Sequence, residues 1–355
     1  MRYIAGDGGG NRIALGWHGL PAYAVRSIRA VAEEFPVVAS RAAVPFTGLD
    51  EMLPNRIHWV ENDRYVTWRE LGLDVPEVFF QPAWSTPCFN ALGREVGESG
   101  GQVVVMFDNP WKGNWRQWLG AVRFRTQWRG RFAAAWVAGV AGHRLARFWG
   151  FPAERIYLGM YGADPEIFGR LNGVHLAERP KRMIYAGRLV PHKGIRKLEA
   201  AWRLFRREHP DWDLHVYGSG PLAEELQSVV GICLHDFLQP EGLAAAMQQA
   251  RFLILPSLEE HWGVVVCEAA QSGCGLLLSD QVGSHPDLLG PKNGVLFNAG
   301  SAKSLAKALI WAAAQPVVDL ARIEQESRQR GSQFTPECWA ARFSSIVHDI
   351  TGRAG

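Results

Sequence analysis

Two groups of charged side chains in this 355-residue chain have types and spacing that could do chemistry. The first is Gly187-Arg188-Leu189-Val190-Pro191-His192-Lys193-Gly194, directly after a predicted strand. A strand end opening into such a loop suits an anion. Gly187 permits close backbone approach, and Arg188 and Lys193 supply charge-assisted bonds to phosphate oxygens. A solvated basic turn is the plainer alternative. The second group is Glu260 and Glu268, within Glu260-His261-Trp262-Gly263-Val264-Val265-Val266-Cys267-Glu268. Pro256-Ser257 closes the preceding strand and Gly263 opens the next helix, so Glu260 falls in the loop and Glu268 about a turn inside the helix. Amides at Gly263, Val264 and Val265 then form a helix N-terminus able to bind a diphosphate. A carboxylate accepts paired sugar hydroxyls, so Glu268 suits a ribose and Glu260 a hexose. The alternative is a surface acid and a helix carboxylate near a favourable dipole end, and spacing alone favours it.

The elements that must hold these groups are legible after Lys181. Short β-rich runs at 182–185, 214–217, 252–255 and 275–278 read as buried parallel strands. Helical stretches lie between them at 195–208, 222–229, 241–249 and 264–272. This alternation predicts a doubly wound α/β domain with its ligands at the carboxyl ends of the strands. The N-terminal half keeps the rhythm less cleanly, with strands at 36–40, 78–80, 102–107 and 135–138 and a first long helix at 22–34. Patterning lapses around 168–179 and ends at Pro180, which reads as a linker. No short-period repeat or low-complexity tract interrupts either half.

Composition narrows the classes. Apolar residues make up 47 % and charged residues 21 %, enough apolar surface to exclude disorder as the main state. No uninterrupted apolar run approaches the roughly 18 residues a membrane span needs. Residues 1–5 run straight into a glycine cluster at 6–10, which does not read as a secretory signal. Cys88, Cys233, Cys267, Cys274 and Cys338 form no C-x-x-C pair, so neither a disulfide framework nor a zinc site is expected. The expectation is a reduced, cytoplasmic, two-domain protein. Net charge is only +3, too little to argue for nucleic acid. All the excess lies in residues 1–170, with 19 Lys+Arg against 16 Asp+Glu, and the same half holds ten of the fifteen tryptophans. Such asymmetry suggests that the halves meet different partners.

Taken together, the motifs resemble the donor-binding domain of the retaining glycosyltransferase family 4 (glycosyl transferases group 1), which has the GT-B fold. The resemblance covers residues 181–300. It rests on Gly187-Arg188-Leu189 with Lys193-Gly194, Val216-Tyr217-Gly218-Ser219-Gly220-Pro221, Pro256-Ser257, and Glu260 with Glu268-Ala269-Ala270 leading to Gly273. Asp280-Gln281-Val282-Gly283 and Asn293-Gly294-Val295-Leu296-Phe297 complete it. It implies an α/β, GT-B architecture of two Rossmann-like doubly wound domains facing a central cleft. It further implies that Arg188 and Lys193 hold a nucleotide diphosphate, with Glu268 on the ribose and Glu260 on the transferred sugar. Gly187, Gly218, Trp262, Gly263, Val264 and Val265 would assist, and Phe237 and Leu238 would lie at the base pocket. Residues 150–168, with Tyr161-Gly162-Ala163-Asp164-Pro165, resemble the segment that ends the family's N-terminal domain. The glycine cluster with Gly9 and Gly10 resembles the family's first loop near the donor phosphates; a mobile tail is the alternative.

One departure matters. Where many family members place a catalytically important histidine, this chain reads Phe107-Asp108-Asn109-Pro110-Trp111. Asp108 could stabilise an electron-poor anomeric centre or orient an acceptor hydroxyl, but donates a proton only if its pKa is raised. Capping of the next turn is the alternative. Asn109 and Trp111 follow on the acceptor side, and His18 is the other residue that could reach the cleft. The segment 109–153 holds no Asp or Glu, while Lys112, Arg116, Arg123, Arg125, Arg129, Arg131, Arg144 and Arg147 alternate with aromatics. That pattern suits an anionic membrane surface, a phosphate-bearing lipid or sugar acceptor, or a core helix with a solvated basic face. Trp115, Trp118, Leu119 and Val122 fit one apolar stripe.

The domain expectation is residues 1–168 for acceptor binding, a linker at 169–180, and residues 181–333 for donor binding. A C-terminal helix within 334–355 is placed to cross back to the first domain. The functional expectation is transfer of a sugar, with retention, from a UDP-, GDP- or ADP-sugar to a hydroxyl of a glycan or lipid-linked acceptor. Glu260, Asp108, Arg188 and Lys193 would carry the chemistry. No metal or other cofactor is expected, because two cations and a helix N-terminus can neutralise the leaving group and no Asp-x-Asp tripeptide is present. Envelope polysaccharide or glycolipid assembly at the inner membrane face is the expected setting. A GT-B sugar-nucleotide epimerase and a noncatalytic sugar-nucleotide binder are the rivals.

Overall fold

The computed structural model describes residues 12–42, 47–170 and 174–352. The chain divides into two compact units, one of Met1–Gly162 with Pro336–Gly355 and one of Ala163–Thr335.

In the first unit the strands are β1 (Ile13–Leu20), β2 (Val37–Arg41), β3 (Ile57–Trp59), β4 (Val78–Pro82), β5 (Gln102–Phe107), β6 (Ala134–Val137) and β7 (Ile156–Leu158). They pair in parallel in the order β3-β2-β1-β4-β5-β6-β7. The winding reverses between β1 and β4, the point at which doubly wound sheets open a crevice at their carboxyl edge. The strands read as near-continuous apolar runs because both faces are covered. In β5, Val103, Val105 and Phe107 join one core with Phe89, Phe124 and Trp149, while Val104 and Met106 join the other with Trp136 and Phe343. β1 is absent from the predicted strands because Gly16 and Gly19 break its apolar pattern. The first helix spans Ala22–Arg29 and stops short of the predicted residue 34. The chain there turns so that Phe35 stacks on Phe343 at 4.8 Å between ring centroids.

The C-terminal helix Pro336–Thr351 belongs to this unit. Its Trp339 Nε1 donates to Met160 O at 2.9 Å, and Phe343 also stacks on Phe80 at 4.5 Å. A helix from the end of the chain thus completes one face of the N-terminal sheet.

The second unit begins at Ala163, earlier than the expected boundary at 168. Ala163 N–H donates to Phe334 O at 2.9 Å and its carbonyl accepts from Gln271 Nε2 at 2.7 Å. Those bonds commit the backbone to this unit before the helix Pro165–Phe168 begins. The strands are β8 (Arg182–Ala186), β9 (Asp213–Tyr217), β10 (Ile232–His235), β11 (Phe252–Leu255), β12 (Gly275–Ser279) and β13 (Gly294–Phe297). They form a parallel sheet in the order β10-β9-β8-β11-β12-β13. β10 and β13, the two edge strands, were not predicted. Both are short and only partly buried, so neither carries the apolar run that marks an interior strand.

Candidate functional site

In the second unit the winding reverses between β8 and β11, and the motif residues gather at the carboxyl ends of these strands. The loop after β8 is held by backbone bonds: Gly187 N–H donates to Tyr217 O at 2.9 Å and Leu189 N–H to Ser219 O at 2.8 Å. Tyr185 Oη donates to Arg188 O at 2.9 Å, which leaves the Arg188 side chain exposed on a fixed backbone. Two glycines are required by close approach. Gly218 has φ 136°, and a Cβ there would fall 2.1 Å from Gly187 O. Gly194 has φ 74°, and its Cβ would fall 1.9 Å from Pro256 O. The β8 loop and the β11 loop are therefore pressed together, and Leu258 N–H seals them by donating to His192 O at 2.8 Å.

This contact pairs two residues that the sequence reading assigned to different parts of a ligand. Lys193 Nζ forms an ion pair with Glu260 Oε2, each side chain only 15 % exposed, and Ser257 Oγ donates to the same oxygen at 3.2 Å. The Glu260 backbone is clamped as well. Its N–H donates to Gln281 O at 3.2 Å, and its carbonyl accepts from Gly283 N–H at 3.0 Å. The Asp280–Gly283 motif thus holds Glu260 in place, while Asp280 accepts from Ala299 N–H at 3.1 Å. Buried Asn293 braces the turn before β13, accepting from Gly290 N–H at 2.7 Å and donating to Leu288 O at 2.9 Å.

Gly263 caps the helix Val264–Gln271, whose first turn presents the amides of Val264 and Val265. Glu268 lies one turn in. Among the described residues its carboxylate makes no hydrogen bond or ion pair, and burial pushes its pKa up to about 7. A carboxyl left that way is a strong acceptor for ligand hydroxyls. The Trp262 ring is buried and packs on Phe334, centroids 5.5 Å apart. Phe237 and Leu238 follow β10, with the Phe237 ring exposed. Along the carboxyl edge, the sequence is Phe237 and Leu238 after β10, Gly218 after β9, Arg188 and Lys193 after β8, then Glu260 and the helix N-terminus after β11. Three strand spacings of about 4.8 Å make this array about 14 Å long.

In the first unit His18, in β1, and Asp108, just after β5, both lie at the carboxyl edge. Tyr161 Oη donates to Asp108 Oδ2 at 2.9 Å. The tyrosine is in turn packed edge-on against Tyr23, centroids 5.7 Å apart, and tilted on Trp17 at 6.2 Å. Desolvation lowers the His18 pKa more than the nearby Asp108 charge raises it, which keeps the imidazole neutral. His18 Nδ1 also lies 3.4 Å from Asn62 Oδ1. Asn109 is partly buried, and the Trp111 ring packs on Phe148 at 4.4 Å. Tyr161 escaped the reading of site residues. Its signal was a tyrosine between Gly159 and Gly162 just past β7, and only its hydroxyl contact gives it a role. Gly9 and Gly10 lie outside the described residues. Among the described residues no group of three His, Cys, Asp or Glu is arranged to hold a metal ion.

The fold and the edge array define an α/β protein of the GT-B class with a basic loop beside two carboxylates. Residues 172–330 match the model of glycosyl transferases group 1. D-inositol 3-phosphate glycosyltransferase of Corynebacterium glutamicum is 28 % identical over 221 residues, 55 % of this chain and 52 % of that protein. Phosphatidyl-myo-inositol mannosyltransferase of Propionibacterium freudenreichii is 27 % identical over 173 residues, 44 % of each chain. The matched stretch spans about half the length of these curated relatives. Anabaena Alr3699/HepE, solved in complex with UDP, superposes with TM-score 0.74 over 96 % of this chain and 100 % of that one, at 13 % identity. Sucrose-phosphate synthase from Thermosynechococcus elongatus gives TM-score 0.67 over 97 % and 100 %, at 15 % identity. At such identity the structural likeness establishes the fold, two parallel sheets flanked by helices.

Proposed function

We propose that the protein is a retaining, metal-independent glycosyltransferase of family 4 that moves a sugar from a nucleotide-diphosphate sugar to a hydroxyl of a glycan or glycolipid. The observation that carries this reading is the second unit's edge array: exposed Arg188, the Lys193–Glu260 pair, a helix N-terminus and the unpartnered Glu268 carboxylate, all on the loops and helix that follow the adjacent strands β8 and β11. On this reading Phe237 and Leu238 take the base, Glu268 the ribose, Arg188 with Lys193 the diphosphate, and Glu260 the sugar. Structural neighbours solved with UDP and with UDP-glucose favour a uridine donor. The acceptor belongs to the first unit, at Asp108, Asn109, Trp111 and His18. Neutral His18 and the Tyr161-held Asp108 orient its hydroxyl.

As the glycosidic bond to the diphosphate breaks, negative charge grows on the departing oxygen. Arg188, Lys193 and the amides of Val264 and Val265 stabilise it. The acceptor oxygen bonds to the anomeric carbon on the same face, and its proton passes to the departing phosphate oxygen. Positive charge from side chains and amides does the work that a metal ion does elsewhere, so chelators leave the rate unchanged. Membrane-linked envelope assembly at the cytoplasmic face is the setting this reading fits.

A thermal-shift panel of UDP-, GDP- and ADP-sugars, with and without magnesium, tests it on wild type and Glu268→Ala. A ligand at 100 times its Kd adds about 2.7 kcal/mol to folded stability. One nucleotide class should stabilise wild type without magnesium and leave the variant unmoved. Silence from all three classes sinks the donor site, and inverted stereochemistry in the product sinks the mechanism. The His18–Asp108 pair supports one rival, an epimerase working by acid–base exchange. Incubation with donor alone would then yield epimerised sugar nucleotide.

A further inference from the structure

The helix Trp115–Gln127 buries only Ala121 and Phe124. Phe124 faces inward, its ring stacked on Trp149 with centroids 4.2 Å apart. On the opposite side stand Trp115, Trp118, Leu119 and Val122, exposed to 66 %, 54 %, 63 % and 62 %. Their spacing sets them in one stripe on a helix of 3.6 residues per turn. A surface helix ordinarily turns its apolar stripe to the core, so this one is amphipathic in the outward sense. By the same periodicity, Arg116 and Arg123 border the stripe on one side and Arg125 on the other, all three exposed. Among the described residues none of these arginines is paired with a carboxylate. Arg116 instead lies over the Trp115 ring at 5.5 Å, and Arg123 Nε donates to Gln127 Oε1 at 3.0 Å. Across residues 109–153 there is no acid to offset the eight Lys and Arg.

We infer that this face docks on an anionic phospholipid bilayer. Tryptophan with leucine and valine suits the boundary between headgroups and acyl chains, and arginines bordering it reach lipid phosphates. The charge is of one sign over a whole segment, which matches a diffuse anionic surface better than the mixed charges of a protein partner. The helix starts a few residues after Asp108, so docking brings the acceptor edge of the same unit to the bilayer and makes the acceptor lipid-linked. That consequence rests on the transferase reading; the docking does not.

Flotation of the full chain with vesicles tests it. Phosphatidylglycerol–phosphatidylethanolamine vesicles are compared with phosphatidylcholine vesicles at low and high salt. Wild type should float with the anionic vesicles, less as salt rises, and weakly with the neutral ones. The triple variant Trp115→Ser, Leu119→Ser, Val122→Ser should lose about tenfold or more in partitioning. Arg116→Gln with Arg123→Gln should lose about fivefold per arginine at low salt. Circular dichroism and the sugar-nucleotide thermal shift should be unchanged in both. Wild type that fails to float, or variants that float as well as wild type, overturn the proposal. So does a wild-type dimer in light scattering that the triple variant abolishes without any vesicle binding. A chain that floats but ignores every sugar nucleotide sinks the transferase reading alone, and the reverse result sinks the docking alone.

Discussion

Glu268 is the residue whose surroundings make the sharpest demand on a ligand. Burial without a partner disfavours its ionised form and sets its pKa at about 7. The unfolded chain ionises first, so stability is lost as pH rises from about 4.5 to about 7 and is level above that. Glu268→Gln removes the dependence: its Tm should gain on wild type across that interval and hold the gain at pH 8. If the proposed ribose contact is made, its hydroxyls favour the carboxylate, so binding near pH 7 should release a proton. Calorimetry in phosphate and in Tris should give different binding enthalpies for wild type and equal ones for the variant. The Lys193–Glu260 pair makes a different demand, because each side chain is held by the other. Lys193→Ala and Glu260→Gln should each cost about 10²- to 10³-fold in kcat, as loss of one preorganised charge contact does. Their double variant should fall well short of the product, since residues acting as a unit are not additive. A product-like loss in the double-mutant cycle would show that the pair is incidental.

At the scale of elements, the β8 loop depends on how closely the β11 loop lies beside it. Gly194→Ala places a Cβ in the left-handed region and against the Pro256 carbonyl. It should cost about 1–2 kcal/mol from conformation alone, and the relief of the clash should shift Arg188 and Lys193. A folded variant with a lowered Tm and a lost sugar-nucleotide response is the expected outcome; an unchanged response would mean that the loop contact does not position the cations. The motif residues were legible in the sequence because each is tied to a strand end or a helix start: Gly187 to β8, Gly218 to β9, Gly263 to its helix. Trp262 was read as a donor contact from its place in the same run, but the tight bend at Gly263 carries the ring into the core on Phe334. Tyr161 was missed because its partner Asp108 lies far away in sequence, on another strand end.

At the scale of the whole chain, the two units are unlike in construction. The second is one continuous stretch, whereas the first needs the chain's last helix to cover Trp136, Phe80 and Phe35. Trp339→Ala removes a fully buried ring and should cost the first unit about 3–5 kcal/mol. Calorimetry should show one transition moving down and the sugar-nucleotide-sensitive transition staying in place. A common shift of both would mean that the units unfold as one. The sequence by itself determined the class of fold, the strand ends that carry loops, and the residue types at the carboxyl edge of the second sheet, because local periodicity and glycine placement act over a few residues. Tertiary structure alone decided which charges meet, as with Lys193 and Glu260, which acid is left without a partner, and which way the Trp115–Gln127 helix turns its apolar stripe. Those outcomes depend on which surfaces the remaining elements have already covered, and a pattern along one helix fits an inward or an outward face equally well.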